Sequence, residues 1–320
     1  MTPGWLGPEI TKLRTAFAAR RLPHALLIHE APGAGGEWLA GWAARLVLCS
    51  NPQEAPCERC GSCQRAAQEQ HPDLNVIRPI EASTQIRIEQ VRELAAELAL
   101  TAHQGGYKVG ILTPADGMNR FAANALLKTL EEPPQGTLLL LVATQPSRLP
   151  ATILSRCQRV RIRAPGRAEA TAWLEAARGP GEWGRVLEVL GTAPMAAAAS
   201  DPAAVVEIAG EVRRGLEEAL AGGGDPVATA ERWARAELPL RLTCVENWLT
   251  ERIRGRVAAG SHFTEVRAGT HSRGPGESLD LRQLFGLLDA VLELKSSLDA
   301  PINRGLALES LLRGFSARAA

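Results

Sequence analysis

Lysine is almost missing from this chain: Lys12, Lys108, Lys128 and Lys295 are the only four in 320 residues, while arginine, alanine and glycine are abundant. We read that as the bias of a GC-rich genome and not as a binding signal. An excess of either charge is missing too, the formal net charge being +1. A protein that held DNA alone through many phosphate contacts would need a clear basic surplus, so any nucleic-acid contact is local or shared. Long apolar runs are absent as well. The longest, Leu138 to Ala143, is far short of the ~20 residues a membrane span needs. No charged segment followed by an apolar one opens the chain, and the expectation is a cytoplasmic protein. In a reducing compartment the six cysteines do not suggest three disulfides, and a cluster among them points to metal or redox chemistry.

What is there fits two or three globular domains. With 45% hydrophobic and 22% charged residues, the chain falls in neither the disordered nor the fibrous class. Residues 9–20 read as a helix, and His24 to Ile28, after the break at Leu22-Pro23, as a short buried strand. A glycine turn follows, then helical spacing from Trp38 to Leu48. Residues 49–72 read as irregular and rich in Cys and Pro. From Ile86 the apolar positions Ile88, Val91, Leu94, Ala95 and Leu98 keep helical spacing. Lys108 to Leu112 is the next strand, and Met118 to Glu132 a helix stopped by Pro133-Pro134. Thr137 to Thr144 is another buried strand, and Val160 and Ile162 alternate with Arg159, Arg161 and Arg163 in a half-exposed last one. Strands alternating with helices predict an α/β domain: a parallel sheet covered on both faces. Beyond Ala164-Pro165-Gly166 strand signals disappear. Residues 166–200 read as short helices, 203–257 and 279–316 as longer amphipathic ones, and Ala258 to Ser278 as a surface loop.

The loop Glu30-Ala31-Pro32-Gly33-Ala34-Gly35-Gly36-Glu37 sits between strand and helix, where a phosphate loop would be. Against G-x-x-x-x-G-K-[ST] it keeps Gly35, but has Glu30 in the first position, Gly36 for the lysine and Glu37 for the hydroxyl residue. The lysine that neutralises the β/γ phosphates and the hydroxyl that holds Mg²⁺ are both gone. Glu37 would oppose a polyphosphate, and two like charges ~4 Å apart cost about 4 kcal/mol near a protein surface. The strand Lys108 to Leu112 is followed by Thr113-Pro114-Ala115-Asp116, in which neither Thr113 nor Pro114 can coordinate Mg²⁺ or act as a base. Asp116 is expected to cap the following helix. The opposing reading of the loop is a plain Gly/Pro surface turn.

Cys49, Cys57, Cys60 and Cys63 follow the spacing C-x7-C-x2-C-x2-C. Two-residue gaps let successive sulfurs turn to one point, and four thiolates close a tetrahedron around Zn²⁺. Structural zinc is the expectation, in an insertion spanning 49–63. An iron–sulfur cluster and unliganded buried thiols are the alternatives, although no further Cys-Pro follows Cys63 as in the ferredoxin run. Cys157 and Cys244 read as ordinary buried thiols.

His24-Ala25-Leu26-Leu27, the eroded loop, the four cysteines, Asn124 to Pro134 (NALLKTLEEPP) and Ser155-Arg156-Cys157 occur in the order found in bacterial clamp-loader subunits of the AAA+ family, which residues 20–165 resemble. The departure at both nucleotide motifs is similar to the δ′ branch; motor subunits of the γ/τ branch look intact there, and the δ branch typically lacks Ser-Arg-Cys. The resemblance implies an AAA+ domain over 1–164, a small helical lid over 165–202 and a helical collar over 203–320. It implies a five-membered ring with γ/τ and δ subunits that places a sliding clamp on primed DNA, with no ATP bound by this chain. It also implies that Arg156 is an arginine finger acting in trans, since the Ser155-Arg156-Cys157 segment lies just before the last strand at the domain's edge. An arginine paired with a surface carboxylate is the plainer reading of Arg156. A solvated strand face is the plainer reading of Arg159, Arg161 and Arg163, and a helix stop that of Leu130-Glu131-Glu132-Pro133. Two rival functions stay open at this point: an active ATPase subunit of the γ/τ type and a zinc-containing nucleic-acid-binding adapter.

Overall fold

The computed structural model describes all residues except 81, 82, 84, 104, 105, 261–278, 299–302 and 317–320. It divides into two compact units, one comprising Met1–Gly179 with Thr192–Ala198, the other Pro180–Gly191 with Ala199–Ala320.

In the first unit, strands β1 (Ala25–His29), β2 (Leu74–Ile77), β3 (Lys108–Leu112), β4 (Thr137–Ala143) and β5 (Gln158–Arg161) form a five-stranded sheet in the order β2-β3-β4-β1-β5, every pairing parallel. Helices α1 (Gly7–Ala18), α2 (Gly36–Leu48), α3 (Gly61–Ala67), α4 (Ile88–Ala99), α5 (Arg120–Glu131), α6 (Ala151–Leu154) and α7 (Arg167–Arg178) belong to it. The sheet's two faces can be read residue by residue. Leu26, Ile28, Leu138, Leu140 and Val142 pack in one apolar cluster with α1 and α2, while Ala25, Leu27, Leu139, Leu141 and Ala143 pack in a second with α4 and α5. Successive strand side chains point to opposite faces, so a wholly apolar strand such as β4 requires helices on both.

Element ends follow local chemistry. Helix α5 is capped by Asn119, whose side chain accepts from the Ala122 N–H at 2.9 Å, and not by Asp116 as expected. Asp116 is buried instead, accepting at Oδ2 from the Gln145 N–H at 2.7 Å and the Thr144 hydroxyl at 3.2 Å, so it ties the end of β3 to the end of β4. The segment read as irregular contains a further helix, α3, and β2 begins directly after it.

The remaining helices are α8 (Trp183–Leu190), α9 (Pro194–Ala199), α10 (Pro202–Leu220), α11 (Pro226–Arg235), α12 (Leu238–Gly260), α13 (Leu281–Ser296) and α14 (Arg304–Ser316). Asp201, Asp225 and Asp280 cap α10, α11 and α13 through their side-chain oxygens. In the second unit Leu216, Trp233, Leu242, Val245, Leu284, Val291, Leu312 and Phe315 form the core, with Trp248 meeting Phe315 edge-on at 5.9 Å. Residues 258–260, assigned above to a loop, belong to α12; the rest of that expected loop lies outside the described residues. Among the described residues no helix is long and apolar enough to cross a membrane.

Candidate functional site

The loop from Glu30 to Glu37 turns through two left-handed glycines, Gly33 at φ +70° and Gly35 at φ +107°, and leads into α2 at Gly36. A helix start of this kind offers unpaired backbone N–H groups to an anion. Here the anion comes from the chain itself. Glu30, 8% exposed, accepts the Gly36 N–H at Oε2 at 2.6 Å. Its carboxyl pKa is raised, first by burial and also by the neighbouring Glu37 charge, against the lowering effect of hydrogen bonds from the Gly36, Gly35 and Ala34 N–H groups. A Cβ at Gly36 would stand 2.7 Å from Glu30 Cδ and 2.8 Å from Val142 Cγ1, so a lysine at that position would require Glu30 and Val142 to move. The loop is also overlaid. Met195 N–H donates to the Gly33 carbonyl at 3.1 Å, and a Cβ at Gly33 would meet Ala193 Cβ at 2.8 Å.

Glu37, the charge singled out in the sequence, turns elsewhere. It is ion-paired with Arg78, which also grips Glu69 through contacts of 2.6 and 2.7 Å. Arg78 lowers the pKa of Glu69 and is itself raised, chiefly by Glu69, although all three groups are partly exposed and solvent weakens the pairs. Thr113 Oγ1 comes within 3.5 Å of Glu37 Oε2. Glu30 as occupant and Arg78 as clamp were both missed in the sequence. Glu30 showed only as a mismatch to the loop pattern, and Arg78 lies 41 positions from Glu37.

All four predicted cysteines come together. The sulfurs of Cys49, Cys57, Cys60 and Cys63 lie within 4.8 Å of one another, with Cys49 and Cys60 at 3.9 Å. A thiolate tetrahedron with Zn–S ~2.3 Å has edges of about 3.8 Å, so the cluster fits a metal ion with little adjustment. The elements explain the convergence. Cys49 ends α2, Cys60 caps the start of α3 and takes the Cys63 N–H at 3.4 Å, and Cys63 lies in the first turn of α3. Burial pushes the Cys49 and Cys63 thiols up. At Cys60 burial pushes the same way but is outweighed by hydrogen bonds, led by those from the Cys63 and Ser50 backbone, which bring it to about 6. Four crowded sulfurs cannot all ionise without a counter-charge, and a cation at their centre supplies one. Cys157 and Cys244 are buried away from this cluster, and burial pushes both thiols up to about 11.

Next to the cluster, Ser62 Oγ and His71 Nε2 are 2.9 Å apart in a buried pair that superficially suits nucleophilic catalysis. His71 Nδ1 faces the Asp73 N–H at 3.1 Å and must accept from it, so the ring's proton sits on Nε2 and points at Ser62. A histidine in that tautomer cannot deprotonate the hydroxyl, and the pair fastens α3 to the head of β2.

Arg156 follows α6, with its side chain 35% exposed. Its guanidinium meets Glu131 Oε1 at 2.7 Å and donates to the Thr152 carbonyl at 3.1 Å and to Ser155 Oγ at 3.3 Å. Glu131 is the last residue of α5, and the preceding carbonyl, Leu130 O, is 3.1 Å from a His24 ring nitrogen. The end of α5 therefore contacts both His24 and Arg156. Arg159 and Arg161 project from β5 into solvent, and Arg163 pairs with Glu169 at 2.8 Å.

Residues 7–166 match the family model described as DNA polymerase III, delta subunit. The chain is 36% identical over 300 residues to DNA polymerase III subunit delta′ of Pseudomonas aeruginosa, covering 90% of each chain. It is 39% identical over 171 residues to subunit delta′ of Escherichia coli K12, covering 53% of this chain and 51% of that one. The tau subunit of Escherichia coli K12 is 33% identical over 156 residues, which are 48% of this chain and 24% of the relative.

Proposed function

The chain belongs to the family of DNA polymerase III delta′ subunits, and we propose on that footing that it is the δ′ member of a clamp loader, supporting ATP-dependent loading of a sliding clamp on primed DNA without an ATPase site of its own. Sequence identity spread over 90% of both chains is the observation that carries the assignment. Relatedness to a tau subunit favours γ/τ motor subunits, together with δ, as neighbours in a five-membered ring. In this reading residues 1–164 are the AAA+ domain, 165–202 the lid and 203–320 the collar, and the metal at Cys49, Cys57, Cys60 and Cys63 is structural Zn²⁺.

Three features support the lack of an ATP site. No lysine stands at the loop, Thr113-Pro114 replaces the acidic pair, and Glu30 already takes the Gly36 N–H that a phosphate would use. Titration of the isolated chain with MgATP in a calorimeter should accordingly give no binding heat at micromolar concentrations. Micromolar affinity there would favour the rival reading of an active ATPase subunit.

Arg156 is proposed to serve the ATP of a neighbouring subunit. A guanidinium keeps its charge and can grip two phosphate oxygens at once. Its present partner does not oppose this role, because a half-exposed pair such as Arg156–Glu131 holds by only ~0–1 kcal/mol and can be exchanged for a phosphate.

A further inference from the structure

We propose that Glu30 is a built-in occupant of the old phosphate cradle: its carboxylate is seated on the N–H groups at the start of α2 and keeps the loop closed to external anions. This differs from the loss of the lysine, which removes attraction. A seated carboxylate removes vacancy.

The geometry is that of an anion bound at a helix start. Gly33 and Gly35 bend the loop so that the Gly36 N–H faces inward, and Glu30 Oε2 receives it at 2.6 Å. The carboxylate is almost wholly enclosed, with Val142 beside it against Gly36. Desolvating a carboxylate is costly unless hydrogen bonds replace the lost water, and the loop amides provide them. Glu37, whose charge acts on Glu30, is drawn off by Arg78, which limits repulsion between the two acids. Outside, Ala193 and Met195 lie against Gly33 and Gly35, so the cradle is filled from within and covered from without.

The inference rests on the same reading of this turn as a former phosphate loop, but the two fail separately, since clamp-loader membership does not depend on what occupies the turn. The test uses the full chain with inorganic pyrophosphate as probe and hydrogen exchange at the Gly36 amide as a second readout. In the wild-type protein the amide should be protected and the Tm should not respond to pyrophosphate. Glu30→Gln keeps the shape and an acceptor oxygen and should behave the same way. Glu30→Ala should speed exchange at Gly36 by about tenfold or more, the size expected for losing a hydrogen bond to a charged group, and should make the Tm rise with pyrophosphate. Glu30→Asp, which withdraws the carboxylate by one methylene, should move both readouts in the same direction and guards against an alanine variant that does not fold. If folded Glu30→Ala and Glu30→Asp keep Gly36 as protected as in the wild-type chain and ignore pyrophosphate, or if the wild-type chain binds pyrophosphate as they do, Glu30 is not the occupant.

Discussion

In a reconstituted complex, Arg156→Ala should lower the DNA- and clamp-stimulated ATPase rate by orders of magnitude at the site it serves, while the protein still folds, keeps its metal and assembles. Arginine fingers in other phosphoryl-transfer systems contribute ~10³–10⁵ in rate, and the complex retains its other sites, so the fall in total activity will be smaller than at the affected one. The structure makes the separation from folding specific. Among the described residues the Arg156 guanidinium contacts Glu131, Thr152 and Ser155, all at the surface, and none of these belongs to the apolar clusters on either face of the sheet. Arg156→Lys should rescue little, because one ammonium cannot reproduce a two-pronged grip. Glu131→Gln is the informative companion: if the carboxylate only parks the finger, this variant should assemble and retain ATPase activity. Presteady-state ATP hydrolysis by complexes carrying each variant checks the set. Full activity of the assembled alanine variant would reduce Arg156 to a surface ion pair.

Metal content is the second large effect. Protein prepared without added metal should carry one equivalent of zinc and no visible absorbance, whereas a brown preparation would mean iron. Cys60→Ser or Cys63→Ser should lose the ion, since each removes one corner of a cluster whose sulfurs already lie within 4.8 Å. Structural zinc is worth ~10–16 kcal/mol to isolated finger peptides. Cys49 and Cys63 belong to the apolar cluster on one face of the sheet, but the cluster on the other face contains none of the four cysteines, so the loss should stay largely on the side of the insertion. Elemental analysis with hydrogen exchange over 49–72 checks both halves. Exchange should rise steeply there, and much less in β4.

Most of the sheet was legible because its inner strands are short, largely apolar runs bounded by glycine and proline. Strand β4 spans Thr137–Ala143 with every side chain buried, and β3 coincides with the predicted Lys108 to Leu112. Strand β2, Leu74–Ile77, was not legible. It is a four-residue edge strand, half-buried from Asn75 onward, with too little apolar pattern to stand out beside a cysteine-rich segment. The cysteine cluster could be read because its four members are close in sequence and their spacing encodes the geometry. The contact between Glu30 and the Gly36 N–H could not, because the two residues acquire meaning only when the turn folds, and Arg78 reaches Glu37 only once β2 is in place. Helix caps fall between these cases: Asn119 and Asp116 are both capable caps three residues apart, and burial of Asp116 against Gln145 decides for Asn119.

The most direct measurement of the central claim is reconstitution: the chain is mixed with γ/τ and δ subunits, and complex formation and clamp loading on primed DNA are followed together. The account predicts that the chain enters a complex with defined stoichiometry, binds no ATP alone, and is required for full clamp-stimulated ATPase activity and loading. A chain that stays apart from these subunits, or a complex that loads clamps equally well without it, would contradict the account.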